Sequence, residues 1–304
     1  MSAHDGAPRG LITRADELDF DPRSTAARPR ETRVLMADPL YFAVEYVINP
    51  HMSANLGRVD QDKARRQWLA VAGAYRALGF EVHVLPAVPA LPDLVFTANQ
   101  SLPALLEDGS FGAVLSRMKH GERQGEVAVL AAWYARQGAR TFELEGIDAA
   151  FEGMGDALWL PGHRLILGGY GFRTDPAIYA QLAELLAVPV LALALVDERF
   201  YHLDTCLALI DAETALYVPG AFDAAGAALL QKTFPRLIAL PADEAVELLA
   251  CNGHCPDERH FLVQSGCRRT IGVVRELGLN VIELDTSEFL KSGGSVFCMK
   301  LMLP

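Results

Sequence analysis

His202-Leu-Asp-Thr-Cys-Leu-Ala-Leu-Ile210, the turn Asp211-Ala, Ala215-Leu-Tyr-Val218, a helical stretch from Asp223 to Phe234 and Leu237-Ile-Ala-Leu240 form one unit of strand, turn, strand, helix and strand. The order recurs along the chain. Upstream it reads as a strand Asp93–Asn99, a turn at Asp108-Gly109, a strand Phe111–Ser116, a helix Glu122–Gln137 and a strand from Arg140. Between these units come Ala157-Leu-Trp-Leu160, the turn Pro161-Gly162, a strand from Leu165, a helix Pro176–Leu186 and a strand Val188–Leu195. The chain enters through a strand at Thr32–Asp38, a helix Asp60–Leu78 ended by Gly79 and a strand Phe80–Leu85. It leaves through a strand Arg259–Gln264, a helix Arg268–Leu277, a strand Asn280–Leu284 and a closing strand through Cys298. Five such units of about fifty residues predict an α/β repeat architecture of ββαβ units. Units of this kind bury their faces against one another, so their loops converge on a central cleft.

The 304 residues are 51% apolar, ample for a buried core, and carry a formal net charge of -11. That charge argues against nucleic-acid and anionic-membrane partners, which reward a basic face. With no apolar run of membrane-spanning length and no signal-peptide pattern after Met1, a cytoplasmic location is expected. A homo-oligomer is compatible with the sequence. Residues 1–30, with Pro8, Pro22 and Pro29 and little apolar periodicity, are expected as a flexible arm outside the core, and residues 31–304 as one catalytic domain. Five cysteines in such a chain argue against a disulfide framework.

Polar residues gather where the units open. Asp93 and Asn99 open the second, Glu152 and Asp156 precede the third, His202 and Asp204 open the fourth, and Gly293-Gly294-Ser-Val-Phe-Cys298 closes the chain. A thiolate nucleophile needs a neighbour that governs its proton, and a leaving amine needs a proton donor. Cys, His and an orienting carboxylate therefore form a chemically sufficient set, and further carboxylates would hold a cation. Taken singly, each piece has a bland alternative: an inert core thiol, a strand-end histidine, a glycine-rich turn. Cys251-Asn-Gly-His254-Cys255 offers only three metal ligands with no matching second pair, so neither metal nor cofactor is expected.

Together, Asp93-Leu-Val-Phe-Thr-Ala-Asn99, Phe151-Glu-Gly-Met-Gly-Asp156, His202-Leu-Asp-Thr205 and Gly293-Gly-Ser-Val-Phe-Cys298 resemble the guanidino-group modifying enzymes. That superfamily includes arginine deiminases, dimethylarginine dimethylaminohydrolases, amidinotransferases and arginine dihydrolases. The resemblance runs from about residue 33 to the end of the chain and implies the pentein fold, a five-bladed α/β propeller around a central site. It makes Cys298 the nucleophile on the guanidinium carbon, through a thiouronium intermediate, and His202 the acid and base. Glu152 would orient His202. Asp204 and Asn99 would grip the guanidine nitrogens, and Arg173 the substrate α-carboxylate. Asp93 either reaches the substrate amino group or anchors its loop. Arg123 stands at a similar family position, but a solvated helix start is the better single explanation of it.

Deiminases and dimethylaminohydrolases carry an acid where this chain has Asn99, and an amide both accepts and donates. With Asp38-Pro-Leu-Tyr-Phe-Ala-Val-Glu-Tyr-Val-Ile-Asn49-Pro-His-Met52, this looks most like the arginine dihydrolase branch. Asn49 would be a second substrate-contacting amide or simply a turn residue ahead of Pro50. The implied function is cofactor-free hydrolysis of arginine to ornithine, carbon dioxide and ammonia. Deiminase, dimethylaminohydrolase, amidinotransferase and a catalytically silent scaffold stand as alternatives. The loop Ala250-Cys-Asn252 resembles one lining the family's site entrance, where Asn252 would satisfy backbone groups, and His254 departs from its usual small apolar residues.

Overall fold

A hairpin followed by a parallel strand is the unit that recurs. The structure, a computed structural model, describes residues 8–144, 146 and 148–304. Leu207–Leu209 pairs antiparallel with Thr214–Tyr217, which runs parallel to Arg236–Ala239. A parallel pair needs a crossover, and the helix Ala224–Thr233 supplies it. Asp223 starts that helix by accepting from the Gly226 backbone N–H at 2.7 Å.

The same wiring joins Ser101–Leu105, Phe111–Leu115 and Arg140–Phe142 across the helix Gly121–Arg136. It joins Ala157–Trp159, Ile166–Tyr170 and Pro189–Ala194 across Ala177–Leu186. His260–Gln264 and Asn280–Leu284 run parallel across Arg268–Glu276, with a bridge from His254 to Leu262 in place of a full first strand. In the fifth sheet the last strand, Leu301–Leu303, pairs antiparallel with the early strand Arg33–Ala37, which runs parallel to Glu81–Leu85. The chain therefore closes its first unit with its last residues. The described residues thus form an α/β fold of five small sheets.

Helix 61–77 shows why the sequence folds this way. Asp60 caps it by accepting from the Lys63 N–H at 2.9 Å, and Ala64, Trp68, Val71, Ala72 and Tyr75 form its buried stripe. Gly79, with φ of 90°, turns the chain out toward the next strand.

Three expectations need correction. Asp93–Asn99 is not a strand: Pro92–Val95 is a 3₁₀ turn and the first strand of that sheet is Ser101–Leu105. Pro92 fixes φ for the turn, and Asp93 C=O accepts from Phe96 N–H at 3.0 Å, which points the polar ends inward. Cys298 also lies in a helical turn, with Met299 N–H donating to Ser295 C=O at 3.1 Å, and the closing strand begins only at Leu301. Finally, the stretch expected as an arm outside the core packs on the fold from residue 8 onward. Gly10–Ile12 adds a parallel edge strand to Pro189–Ala194, Ile12 and Leu18 are buried, and Arg28 N–H donates to Gly162 C=O at 2.9 Å. A three-residue strand carries too short a pattern to be read from sequence. Residues 1–7 lie outside the described residues. No helix among the described residues is long and apolar enough to cross a membrane.

Candidate active site

The turn ending at Cys298 is held by one side chain. Asn252 Oδ1 accepts from the N–H groups of Ser295 at 3.0 Å and Cys298 at 3.2 Å, while its Nδ2 donates to Cys298 Sγ at 3.1 Å and to Asp204 C=O at 3.2 Å. Asn252 thus satisfies backbone groups, as the Ala250-Cys-Asn252 loop suggested, and also touches the sulfur. Gly293 and Gly294 make the approach to the thiol feasible. At Gly293, where φ is 86°, a Cβ would come within 2.6 Å of Tyr201 Oη, and at Gly294 it would run into the Phe96 ring. Tyr201 Oη donates to Gly293 C=O at 2.6 Å and pins the segment from the other side.

The thiol itself donates to Asp204 Oδ2 at 3.2 Å. Burial, followed by the Asp204 charge, pushes the Cys298 thiol well above its ordinary range, although the Asn252 N–H works the other way. Burial likewise pushes the Asp204 carboxyl up to about 7. Asp204 Oδ1 has no hydrogen-bond partner among the described residues. An open acceptor beside a neutral thiol, both desolvated, is a place for a cation with N–H donors.

Glu152 and His202 form the second element. His202 Nε2 lies 2.7 Å from Glu152 Oε2, and both are buried. Burial opposes the Glu152 charge, yet Arg173, with Nη1 at 3.1 Å, and His202 outweigh it and hold this carboxyl far below the usual range. Glu152 is thus a fixed anion that orients the imidazole. Asp156 supports the arrangement from behind, accepting from Leu203 N–H at 3.0 Å and from Thr174 Oγ1 at 2.8 Å.

Asn49, Asp93, Asn99, Arg123, Arg173 and Cys298 all line one cavity with room of only about 10 Å³. That volume admits a single water. Within the cavity wall, Asn49 Nδ2 donates to Ser292 C=O at 3.0 Å, and its Oδ1 accepts from His51 N–H at 3.0 Å. Asp93 accepts from Tyr46 Oη at 2.8 Å and Ser292 Oγ at 2.9 Å, tying the two loops over the site. Arg173 Nη2 donates to Ile48 C=O at 2.8 Å, and its guanidinium lies 4.8 Å from the Tyr201 ring centroid.

Arg123 corrects the solvated alternative. It is buried, gripped by Glu126 with Nη2 to Oε2 at 2.8 Å and Nε to Oε1 at 3.1 Å, and its Nη1 donates to Asn99 Oδ1 at 3.0 Å. Since a guanidinium has only donors, this contact fixes the Asn99 amide with its oxygen toward Arg123 and its nitrogen toward the site. Asn99 Nδ2 is buried without a partner among the described residues. It packs beside Gly155, where a Cβ would strike it and come within 3.3 Å of the His202 ring.

Sequence reasoning missed Glu126, Tyr201 and Ser292. Glu126 stands three residues after Arg123 on one helix face, a spacing that signals an ion pair. Tyr201 and Ser292 gave no such signal, because their hydroxyls act on segments distant in sequence, Tyr201 on Gly293 C=O and Ser292 on the Asp93 carboxylate.

The chain matches a family model described as N,N dimethylarginine dimethylhydrolase, eukaryotic, over residues 47–303. It is 37% identical over 273 residues to an N(G),N(G)-dimethylarginine dimethylaminohydrolase of Mycobacterium tuberculosis, covering 90% of this chain and 86% of that protein. It is also 37% identical to the bifunctional arginine dihydrolase/ornithine cyclodeaminase ArgZ of Synechocystis, covering 89% of this chain but only 37% of that longer protein. Among solved structures, the product-bound N-terminal domain of ArgZ, an arginine dihydrolase from the ornithine-ammonia cycle in cyanobacteria, superposes with a TM-score of 0.83 at 35% identity, covering 90% of this chain and 98% of that domain. With the family model spanning most of the chain and a relative alike over nearly its whole length, this protein belongs to the dimethylarginine dimethylaminohydrolase family of hydrolases acting on guanidino C–N bonds.

Proposed function

We propose that the protein is an arginine dihydrolase, removing both terminal guanidine nitrogens of arginine at Cys298. The five sheets are the blades of a pentein propeller whose centre holds the site. The observation that carries the reading is the Asn99 amide, whose nitrogen is turned toward the site by Arg123 and has no partner among the described residues. A free N–H there suits the oxygen of a neutral ureido group, whereas an acid would suit only the guanidinium.

Arginine binds with guanidinium N–H groups on Asp204 and its α-carboxylate on Arg173. The cation offsets the Asp204 charge and lowers the thiol, so the Cys298 proton passes to His202 and the thiolate attacks the guanidinium carbon. His202, oriented by Glu152, protonates the departing nitrogen as ammonia, leaving a thiouronium ester. Water, deprotonated by His202, adds to that carbon, and the carbon–sulfur bond breaks to give a ureido group and regenerate the thiol. Held by Asn99, the ureido carbon is attacked in turn and loses the second ammonia. Water then cleaves the resulting thiocarbamate, and the carbamate falls apart to ornithine and carbon dioxide.

The family model and the Mycobacterium tuberculosis relative favour a second reading, dimethylarginine hydrolysis. Incubation with arginine, citrulline or dimethylarginine separates the two. Ornithine with ammonia is expected from both arginine and citrulline. Citrulline accumulating as the end product from arginine would make the protein a deiminase, and dimethylamine release outpacing arginine turnover would make it a dimethylaminohydrolase.

A further inference from the structure

A second cavity lies on the other side of the segment that carries the nucleophile. Gly294 and Cys298 line the small catalytic cavity, whereas Phe297, Lys300 and Met302 line a chamber with room of about 80 Å³, bounded also by Arg28 and Glu31. Its charges do not balance. Arg28 Nη1 is paired with Glu31, Arg30 Nη2 is paired with Glu258 at 2.6 Å, and His254 Nδ1 lies 2.8 Å from Tyr75 Oη. Lys300 remains. It is fully buried, its Nζ has no hydrogen-bond partner among the described residues, and its contact is the face of the Phe297 ring, 3.1 Å from the centroid. Arg28 is also buried and its Nε lacks a partner, with the guanidinium 4.8 Å from the Trp159 ring centroid.

A desolvated ammonium with no acceptor either recruits an anion or gives up its proton. By the measure that gives the catalytic cavity a single water, the chamber has room for one small ion together with several waters. A single excess cation in the lining and walls of Met154, Leu158, Leu207 and Met302 favour a small singly charged anion over a doubly charged phosphate. We propose that this chamber is a binding site for a small carboxylate-type monoanion, such as formate or bicarbonate, taken by Lys300 with Arg28 as second donor. The occupant sits behind the nucleophile, on the face of the 297–300 segment that substrate does not enter. This site is independent of which guanidino compound the enzyme hydrolyses.

Thermal unfolding in rising formate or bicarbonate, at ionic strength held constant with a bulky sulfonate, tests the assignment. A saturable rise in Tm of at least 2 °C is expected for the wild type and for Arg173→Lys, whose altered cation belongs to the catalytic cavity. Lys300→Met, similar in length and shape, is expected to abolish the rise. Arg28→Gln should raise the half-saturating concentration at least threefold and serves as the test if Lys300→Met does not fold. No saturable rise in the wild type, a rise retained in Lys300→Met or undiminished half-saturation in Arg28→Gln would overturn the proposal. So would loss of the rise in Arg173→Lys, which would move the anion to the catalytic cavity. A lower half-saturating concentration for bicarbonate than for formate would name inorganic carbon as the occupant, and the reverse order a free carboxylate; either supports the site.

Discussion

The Cys298 thiol, proposed as the nucleophile, donates to Asp204 Oδ2 at 3.2 Å, a carboxylate whose charge disfavours ionisation of the sulfur. His202 is instead engaged with Glu152 at 2.7 Å. In the proposed reaction this arrangement keeps the sulfur protonated until a cation occupies Asp204, which would restrict nucleophilicity to a site holding a guanidinium.

Asp204→Asn should therefore activate the free thiol while spoiling substrate binding. Loss of the adjacent charge moves the midpoint of Cys298 alkylation by iodoacetamide down by about one pH unit or more. Turnover should fall at least 100-fold in the same variant. A midpoint unchanged from wild type would mean that burial alone sets the thiol.

Stability should decline as pH rises toward neutrality. Asp204 and Asp156 are each pushed up to about 7 by burial, from an ordinary 3.8. Between those values the folded chain binds more protons than the unfolded one, so unfolding free energy falls with pH across roughly pH 4 to 7. The full shift of one such group corresponds to roughly 4 kcal/mol at most. Urea unfolding at pH 5, 6.5 and 8 should show a shallower decline in Asp204→Asn than in the wild type.

Asn252→Ala removes the acceptor for two buried backbone N–H groups and the donor to sulfur. About 2–4 kcal/mol of stability should be lost, since each orphaned buried group costs about 1–3 kcal/mol. Asn252→Asp keeps the acceptor but places a charge beside the thiol. It should recover stability relative to the alanine variant while shifting the alkylation midpoint upward, a separation that chemical denaturation and alkylation measure in parallel.

Glu126→Gln tests a residue that meets the site only through Arg123. Without its charge-assisted grip, Arg123 no longer fixes the Asn99 amide, and KM for citrulline, whose ureido oxygen that amide is proposed to hold, should rise about tenfold, the scale of 1–2 kcal/mol expected for a weakened charged hydrogen bond. Glu126→Asp, which keeps the charge, should recover part of that loss. Equal loss in both variants, tracking a fall in Tm, would reduce Glu126 to a structural role.

The repeated strand, helix and strand pattern was legible because periodicity and caps are local. Asp60, Asp223 and Gly79 act within a few residues of their own position, and the helices at 61–77 and 224–233 begin and end where those signals stand. The chemical inventory was equally legible: a thiol, an imidazole and carboxylates suited to a guanidinium are properties of residue types. Tertiary structure decided their partners. Sequence cannot tell that Cys298 hydrogen-bonds to Asp204 and Asn252, that Asp93 is spent on Tyr46 and Ser292, or that Arg123 is buried against Glu126 and turns the Asn99 amide. Each of these depends on a contact between segments separated in the chain, or on burial that converts an exposed charge into a paired one. Desolvation belongs to no residue alone, and it is desolvation that sets the protonation of Cys298 and Asp204, while the buried Lys300 Nζ is left without a hydrogen-bond partner among the described residues.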